Sequence, residues 1–337
     1  MKRSILALLL AALLLCGCDK APAPAADGTL TVHFIDVGQA DCALLECGDE
    51  FMLIDGGNVA DSDLVVSSLE DQGVEELKSI VCTHAHEDHV GGLAAVLAVY
   101  PTETVYAPTR TYSSRCFDDF CYDVDQQGLE ITIPQPGDEL TLGGTQLTVL
   151  GPLHSYPETN NTSIVLRAQF GDTRFLFTGD MEAEAEDDLL DSHTDLKADV
   201  LKVGHHGSHT STGYHFLYQV DPDYAVISCG RDNDYGHTHR EVVSRLNDAD
   251  VMTYRTDKLG TILAVSDGTT ITFTWEQGQQ VPQPSEYAEQ TFIGNKNSKK
   301  FHLPSCSNRP GEKNQVYFDS YEEAIAAGYE PCGNCLP

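Results

Sequence analysis

Three histidines and an aspartate fall within six residues in the stretch Thr83-His84-Ala85-His86-Glu87-Asp88-His89-Val90-Gly91-Gly92. They follow the apolar run at 79–82, which is short, β-branched and bounded by polar residues, and so reads as a buried strand. On extended chain His84 and His86 point to the same side and can reach one cation. Asp88 and His89 lie a turn further on, where residues 91–97 begin a helix, and can reach a second. Imidazole together with carboxylate suits zinc, or manganese and iron, better than calcium. Spacing, strand and helix agree on a metal site over a merely histidine-rich loop.

A second carboxylate, Asp180, ends the apolar run at 175–178. A carboxylate there can bridge two cations about 3.5–4 Å apart, the separation that two-metal sites require. Taken alone it would read as the N-cap of a helix opening at Met181. His205 and His206 follow a further apolar strand at 200–203, and only one of two neighbours on a strand can face the site. Two divalent ions lower the pKa of a shared water to about 7. Hydroxide is then available to attack phosphorus or a carbonyl carbon without a serine or cysteine nucleophile, with Asp88 and Asp180 helping to fix it.

These side chains need a scaffold that ends several strands at one place. Strands are expected at residues 30–35, 43–46, 51–54, 79–82, 104–106, 130–133, 146–149, 163–168, 174–178, 200–203, 225–228, 262–265 and 271–275. Helices are expected at 61–71, from 91 to 97, at 181–190 and at 241–247. Residues 107–128 read as an irregular acidic loop over the site. Mixed strands and helices in two halves suit an α/β fold of the αββα sandwich type, with the metals on loops at strand ends.

The histidine stretch resembles the H-x-H-x-D-H signature of the metallo-β-lactamase superfamily. Within it the chain is similar to the extracellular hydrolase-like domain of the ComEC family of competence proteins. The segments that carry the likeness are Phe34-Ile35-Asp36-Val37-Gly38-Gln39-Ala40-Asp41, Leu53-Ile54-Asp55-Gly56-Gly57, the histidine motif, Asn160-Asn161-Thr162-Ser163, Gly179-Asp180 and Leu201-Lys202-Val203-Gly204-His205-His206-Gly207-Ser208. The resemblance implies His205 as a metal ligand with His206 behind it, and Asp55 as a structural support. Many members carry another histidine between the main motif and the bridging aspartate; here Asn160-Asn161-x-Ser163 stands instead. The first ion would then rest on His84, His86 and Asp180, with water or Asn161 added, which argues against β-lactamase activity. Asn233 and His237 match an N-x-x-G-H pattern of the same branch. His237 is expected either to touch the anionic group or protonate a leaving oxygen, or to cap the helix that follows.

The tail holds a second constellation: His302 and Cys306, four apart, then Cys332-Gly333-Asn334-Cys335. That spacing fits one structural zinc, and the segment resembles the Ada-type metal-binding domain. In that family the first cysteine of the site accepts a methyl group from DNA; here His302 takes its place, so a structural module is expected and not a repair activity.

At the other end, Lys2-Arg3 precedes an apolar run at 5–15, too short to span a bilayer and suited to a signal peptide. Leu15-Cys16-Gly17-Cys18 resembles a lipobox, which would leave a lipid-modified Cys18 as first residue of an extracytoplasmic, membrane-anchored protein. The chain thus divides into a signal peptide (1–17), a tether (18–28), a hydrolase domain (29–276), a linker (277–290) and a metal-binding tail (291–337). Of the eleven cysteines, Cys116 and Cys121 could pair outside the cytoplasm. With 52 acidic against 20 basic residues, the net charge of −32 counts against a protein that grips duplex DNA through Lys and Arg. It leaves open an anionic ester, DNA included, held by the metals. The expectation is a metal-dependent hydrolase, a phosphodiesterase or nuclease of the competence-related type. Its rivals are hydrolysis of another surface ester, such as a phosphocholine ester or lactone, and a non-catalytic metal-binding module. No protein partner can be inferred.

Overall fold

The computed structural model describes residues 28–277 and 291–337, apart from positions 305, 307, 319, 320, 333, 334 and 337. The signal segment, Cys18, the tether up to residue 27 and the linker from 278 onward lie outside the described residues. Among the described residues no helix is long and apolar enough to cross a membrane.

Two sheets face each other. The first is built from β1 (Leu30–Phe34), β2 (Ala43–Cys47), β3 (Glu50–Ile54), β4 (Leu77–Val81), β5 (Thr102–Tyr106) and β6 (Ile131–Thr132). The second holds β7 (Glu139–Leu142), β8 (Thr145–Gly151), β9 (Val165–Phe170), β10 (Thr173–Phe177), β11 (Val200–Lys202), β12 (Tyr224–Ile227) and β13 (Met252–Arg255). The chain then returns through β14 (Ile262–Ser266) and β15 (Ile271–Trp275) to the first sheet, whose order is β15-β14-β1-β2-β3-β4-β5-β6, against β13-β12-β11-β10-β9-β8-β7 in the second.

Alternation along the strands assigns each apolar side chain to a layer. Leu30, Val32 and Phe34 of β1 join Phe175 and Phe177 of β10 in the core between the sheets. Leu53 of β3 and Ile80 of β4 point outward, onto α1 (Ser62–Asp71), α3 (Leu93–Val99) and α4 (Arg115–Gln126). Leu176 and Leu201 do the same in the second sheet, under α5 (Ala183–Asp191), α6 (Tyr214–Val220) and α7 (Arg240–Asp248). Both faces of each sheet are therefore apolar, as sheets covered on both sides must be. The result is the four-layer αββα sandwich. Emptying one inner phenylalanine site typically costs about 3–5 kcal/mol.

This topology explains where chemistry can occur. β3, β4, β5 and β6 run parallel, and so do β10, β11, β12 and β13. Their carboxyl ends open loops at one rim, the usual place for ligands in parallel sheets. After β4 a single helical turn, α2 (Glu87–Val90), carries Asp88 and His89.

Several local expectations change. The segment expected as an acidic loop, 107–128, contains α4, capped by Ser114 Oγ accepting the Phe117 N–H at 3.3 Å and buried through Phe117, Phe120 and Val124. Its apolar positions at 117, 120 and 124 recur at helical spacing, a signal that the surrounding aspartates obscured. Cys116 and Cys121 are unpaired. They sit five apart on α4, where they do not share a face. β7, α6, β13 and α8 (Thr256–Leu259) were not anticipated.

The tail forms its own four-stranded sheet, β18-β16-β17-β19, from β16 (Phe292–Asn295), β17 (Lys300–His302), β18 (Gln315–Phe318) and β19 (Glu330–Pro331), with α9 (Tyr321–Ala326). Phe292 and Phe301 are fully buried in its small core, and Tyr214 of α6 packs into the same cluster, its ring 6.1 Å from that of Phe292.

Candidate metal centre

Asp55 leaves β3 with a left-handed backbone, φ 60°, which aspartate tolerates better than most residues. That turn aims its carboxylate at the next strand. One oxygen accepts the Thr83 N–H at 2.7 Å; the other accepts the Thr83 hydroxyl at 2.7 Å and faces Nδ1 of His89 at 2.8 Å. Nδ1 donates to Asp55, and Nε2 of His89 looks across to Oδ1 of Asp180, 3.3 Å away; against the effect of burial, Asp180, Asp55 and Asp88 hold the imidazole's pKa well above its ordinary value.

Asp180 is held by the turn after β10. Gly179 has φ +52°, and a Cβ there would stand 2.8 Å from Ser163 Oγ and 2.9 Å from Thr83 Oγ1, so only glycine fits. Ser163 Oγ accepts the Asp180 N–H at 3.0 Å. The capping alternative fails, because α5 opens at Ala183 and its N-cap is Glu182.

The two histidines after β11 exchange the positions expected of them. Strand geometry stops at Lys202; His205 (φ 50°) and His206 (φ 53°) both adopt left-handed conformations in a short 3₁₀ turn. Alternation therefore no longer decides which ring faces inward, and each such residue stores strain on the order of 1 kcal/mol. His206 is buried, with Nε2 at 3.2 Å from Asp88 Oδ2 and 3.6 Å from Asp180 Oδ2. Its Nδ1 lies 3.1 Å from the Ser228 carbonyl and 3.2 Å from Asp41 Oδ1. His205 sits at the edge: its Nε2 is 3.7 Å from Asp180 Oδ2, while Nδ1 faces Glu182 at 3.3 Å.

Asp88, His89, Asp180 and His206 thus bring one donor atom each to within 4.8 Å of one another. Nε2 of His84 lies 3.1 Å from Nδ1 of His86 and 4.0 Å from Asp180 Oδ2. Asn161 does not join them. Its Oδ1 accepts the Glu182 N–H at 2.9 Å and its amide donates to Glu184 at 3.3 Å, so it is engaged at the start of α5. Asn233 closes its own loop, accepting the His237 N–H at 2.9 Å. His237 lies beside the cluster, its ring 6.3 Å from that of His206; the helix cap position belongs to His239. His154 is exposed, near Asp188. His209 is exposed beside His239, their Nδ1 atoms 3.3 Å apart.

The electrostatics fit a cation. Nε2 of His89 and Oδ1 of Asp180 are buried without a hydrogen-bond partner among the described residues, an arrangement that is costly unless a ligand satisfies them. Burial works against the charge of Asp180, yet His89, His206 and His84 outweigh it and hold the carboxyl well below its usual range. Burial likewise opposes protonation of His206, but Asp180, Asp41 and Asp88 carry its pKa up to about 10. Burial and the neighbouring His89 push His84 well down. Two carboxylates kept ionised among imidazoles form a donor set for hard-to-borderline divalent ions.

Asp41 and Lys202, each part of a separate motif, form a pair that neither motif reveals. Lys202 Nζ donates to Asp41 Oδ2 at 2.7 Å, both nearly fully buried, which leaves Oδ1 of Asp41 for His206. They are 161 residues apart, so no local spacing reveals the pair.

In the tail, His302, Cys306, Cys332 and Cys335 also bring donor atoms within 4.8 Å of one another, with His302 Nδ1 and Cys306 Sγ 3.5 Å apart. The three cysteines are unpaired. His and three Cys is a structural zinc donor set.

Residues 35–231, more than half of the chain, match the Metallo-beta-lactamase superfamily, and residues 280–337 match the metal binding domain of Ada. The chain belongs to the metallo-beta-lactamase superfamily, as a metal-dependent hydrolase related to competence proteins, and it carries an Ada-type metal-binding module at its C-terminal end. ComE operon protein 3 of Bacillus subtilis is 32% identical over 250 residues, covering 68% of this chain and 32% of that one. Recombination protein 2 of Haemophilus influenzae is 32% identical over 228 residues, covering 65% and 26%. The chain therefore spans about a third or less of the length of these curated relatives. The metallo-beta-lactamase fold protein YhfI of Bacillus subtilis superposes over 71% of this chain and 100% of its own with a TM-score of 0.50; at 14% identity the likeness concerns the fold alone.

Proposed function

We propose that the chain is a phosphodiesterase, acting on an anionic ester such as DNA outside the cytoplasm. The observation that carries this reading is the donor set around buried Asp180, where Asp88, His89 and His206 gather their donor atoms and His84, paired with His86, approaches the same carboxylate. Two divalent ions held there, zinc or else manganese or iron, would supply Lewis acidity toward a phosphoryl oxygen and an acidified water. Asp180, which approaches His84, His89 and His206, would help to hold both. Asp55 accepts from Nδ1 of His89 and the Ser228 carbonyl from Nδ1 of His206, so that the opposite nitrogen of each ring would bind metal once its proton is displaced. His237, half-buried next to the cluster, is placed to meet the anionic group. The kinship with a recombination protein and competence proteins points to nucleic acid. A chain of net charge −32 lacks the basic surface for tight duplex binding, so the metals must supply most of the attraction.

A second reading rests on a different observation. A crevice of about 420 Å³ beside the site is lined by Glu158, Glu182 and Glu184 together with His209 and Arg245; three carboxylates against one guanidinium would favour an ester with a cationic group, such as a phosphocholine ester.

Purified protein loaded with zinc or manganese should be assayed on DNA, bis-nitrophenyl phosphate, phosphocholine esters and lactones. Turnover of the first two supports the proposal; turnover of phosphocholine esters alone supports the second reading; turnover of none, with full metal content, leaves a non-catalytic metal-binding module. Anchoring through lipid on Cys18 belongs to the same proposal. Cys18→Ser should release the protein from membranes, and unchanged fractionation and signal cleavage would contradict it.

A further inference from the structure

Gln39 lies in the loop between β1 and β2 and reaches 198 residues along the chain to His237. Its side-chain oxygen accepts the Gly230 N–H at 3.0 Å, and its amide nitrogen stands 3.1 Å from Nδ1 of His237. The first contact fixes the amide's orientation, because a backbone N–H only donates and must face oxygen. The other end is then NH₂, which also only donates. Nδ1 of His237 is therefore an acceptor and carries no hydrogen. A neutral imidazole that accepts at one nitrogen donates at the other, which puts the hydrogen on Nε2.

The surroundings hold this arrangement in place. Asn233 accepts the His237 N–H at 2.9 Å and donates to the Gly230 carbonyl at 2.9 Å, closing the loop. A Cβ on Gly230 would stand 2.8 Å from the Gln39 nitrogen, so the two backbones approach as closely as glycine allows. The ring lies 5.6 Å from His205 and 6.3 Å from His206. Burial and repulsion from His205, His206 and His239 outweigh attraction from Asp180, and the pKa falls to about 4.

We propose that Gln39 is a positioning residue that fixes His237 as its Nε2–H tautomer, so that a neutral imidazole offers a hydrogen-bond donor, not a lone pair, beside the His/Asp cluster. The chemical class that such a donor takes is an oxygen bearing negative charge, as on a phosphate ester or inorganic phosphate. The same tautomer keeps Nε2 of His237 from serving as a further metal ligand. The catalytic consequence rests on the hydrolytic reading above; the tautomer itself does not.

The test uses the full chain loaded with zinc. Gln39→Glu keeps length and both contacts: one carboxylate oxygen still accepts the Gly230 N–H, while the other demands a proton from Nδ1. Gln39→Met removes the contacts without imposing a tautomer. Long-range ¹H–¹⁵N correlation spectra at pH 8, with His237 assigned by comparison with His237→Gln, should show hydrogen on Nε2 in the parent protein, on Nδ1 in Gln39→Glu and a mixture in Gln39→Met. Inorganic phosphate should bind Gln39→Glu at least about tenfold more weakly, and kcat on bis-nitrophenyl phosphate should fall by at least about tenfold, with Gln39→Met intermediate. A wrong tautomer on a catalytic histidine can cost far more. Hydrogen on Nδ1 in the parent protein would overturn the assignment. A reversed tautomer in Gln39→Glu with unchanged phosphate affinity and kcat would overturn the role. If the parent protein hydrolyses no ester, the hydrolytic reading fails, and the spectra and phosphate binding still decide the role of Gln39.

Discussion

Asp55 and His89 are 34 residues apart in sequence and 2.8 Å apart in the fold, carboxylate oxygen to Nδ1. The contact ties the end of β3 to the turn after β4 and turns the free nitrogen of His89 toward Asp180. Asp55→Asn replaces an obligate acceptor by an amide that can donate to Nδ1 and so reverse the imidazole. Second-ion affinity should then fall about 10- to 100-fold, the usual scale for partners of metal ligands. Competition against a chromophoric chelator would measure it, and unchanged affinity would remove Asp55 from the site.

His206 and His205 should separate clearly. His206 is buried and faces both Asp88 and Asp180, whereas His205 has one long approach to Asp180. His206→Ala should lose the second ion and cut the rate at least ~10²-fold, on the scale of removing one electrostatic element. His205→Ala should keep two ions and lose less activity. Metal analysis beside kinetics checks this; greater metal loss in His205→Ala than in His206→Ala would restore the sequence-based assignment.

That reversal shows how far the sequence could be read. The H-x-H-x-D-H stretch, Asp180 and the tail's His-Cys-Cys-Cys set were legible because local spacing fixes which side chains share a face. The αββα layering was legible from strand periodicity and the family likeness. His206 was not, because strand alternation stops at Lys202 and two left-handed residues redirect the rings. Asp41–Lys202 and Gln39–His237 are pairings across the two sheets, 161 and 198 residues apart, and no local pattern encodes them.

The tail should act as a metal-dependent folding unit. Cys332→Ser should lower bound metal by one ion per chain and loosen the tail core, because in so small a unit metal binding supplies much of the folding energy. The packing of Tyr214 against Phe292 provides a reporter on α6. Hydrolysis at the main site should persist. Equal metal content in the variant and the parent would contradict the assignment.

Glu186 is buried, and its carboxyl accepts the backbone N–H groups of Thr212 and Gly213, the latter at 2.9 Å. Burial raises its pKa to about 7, ahead of the opposing pull of those bonds and of Arg245. A carboxyl whose folded pKa is raised binds its proton more tightly when folded. Its contribution is therefore favourable at low pH and is lost between about 4.5 and 7, by on the order of 3 kcal/mol at most. Glu186→Gln should show a flatter pH dependence of Tm over that interval. Parallel profiles for the variant and the parent would mean that the carboxyl is ionised throughout.

The central claim is that Asp180 joins two cation sites into one hydrolytic centre, and Asp180→Asn tests it most directly. The substitution keeps the shape and removes the charge that faces His84, His89 and His206. A folded Asp180→Asn variant should hold fewer than two ions in the hydrolase domain and hydrolyse bis-nitrophenyl phosphate at least ~10²-fold more slowly than the parent. Hydrolysis at the parent rate with two ions still bound would contradict the account.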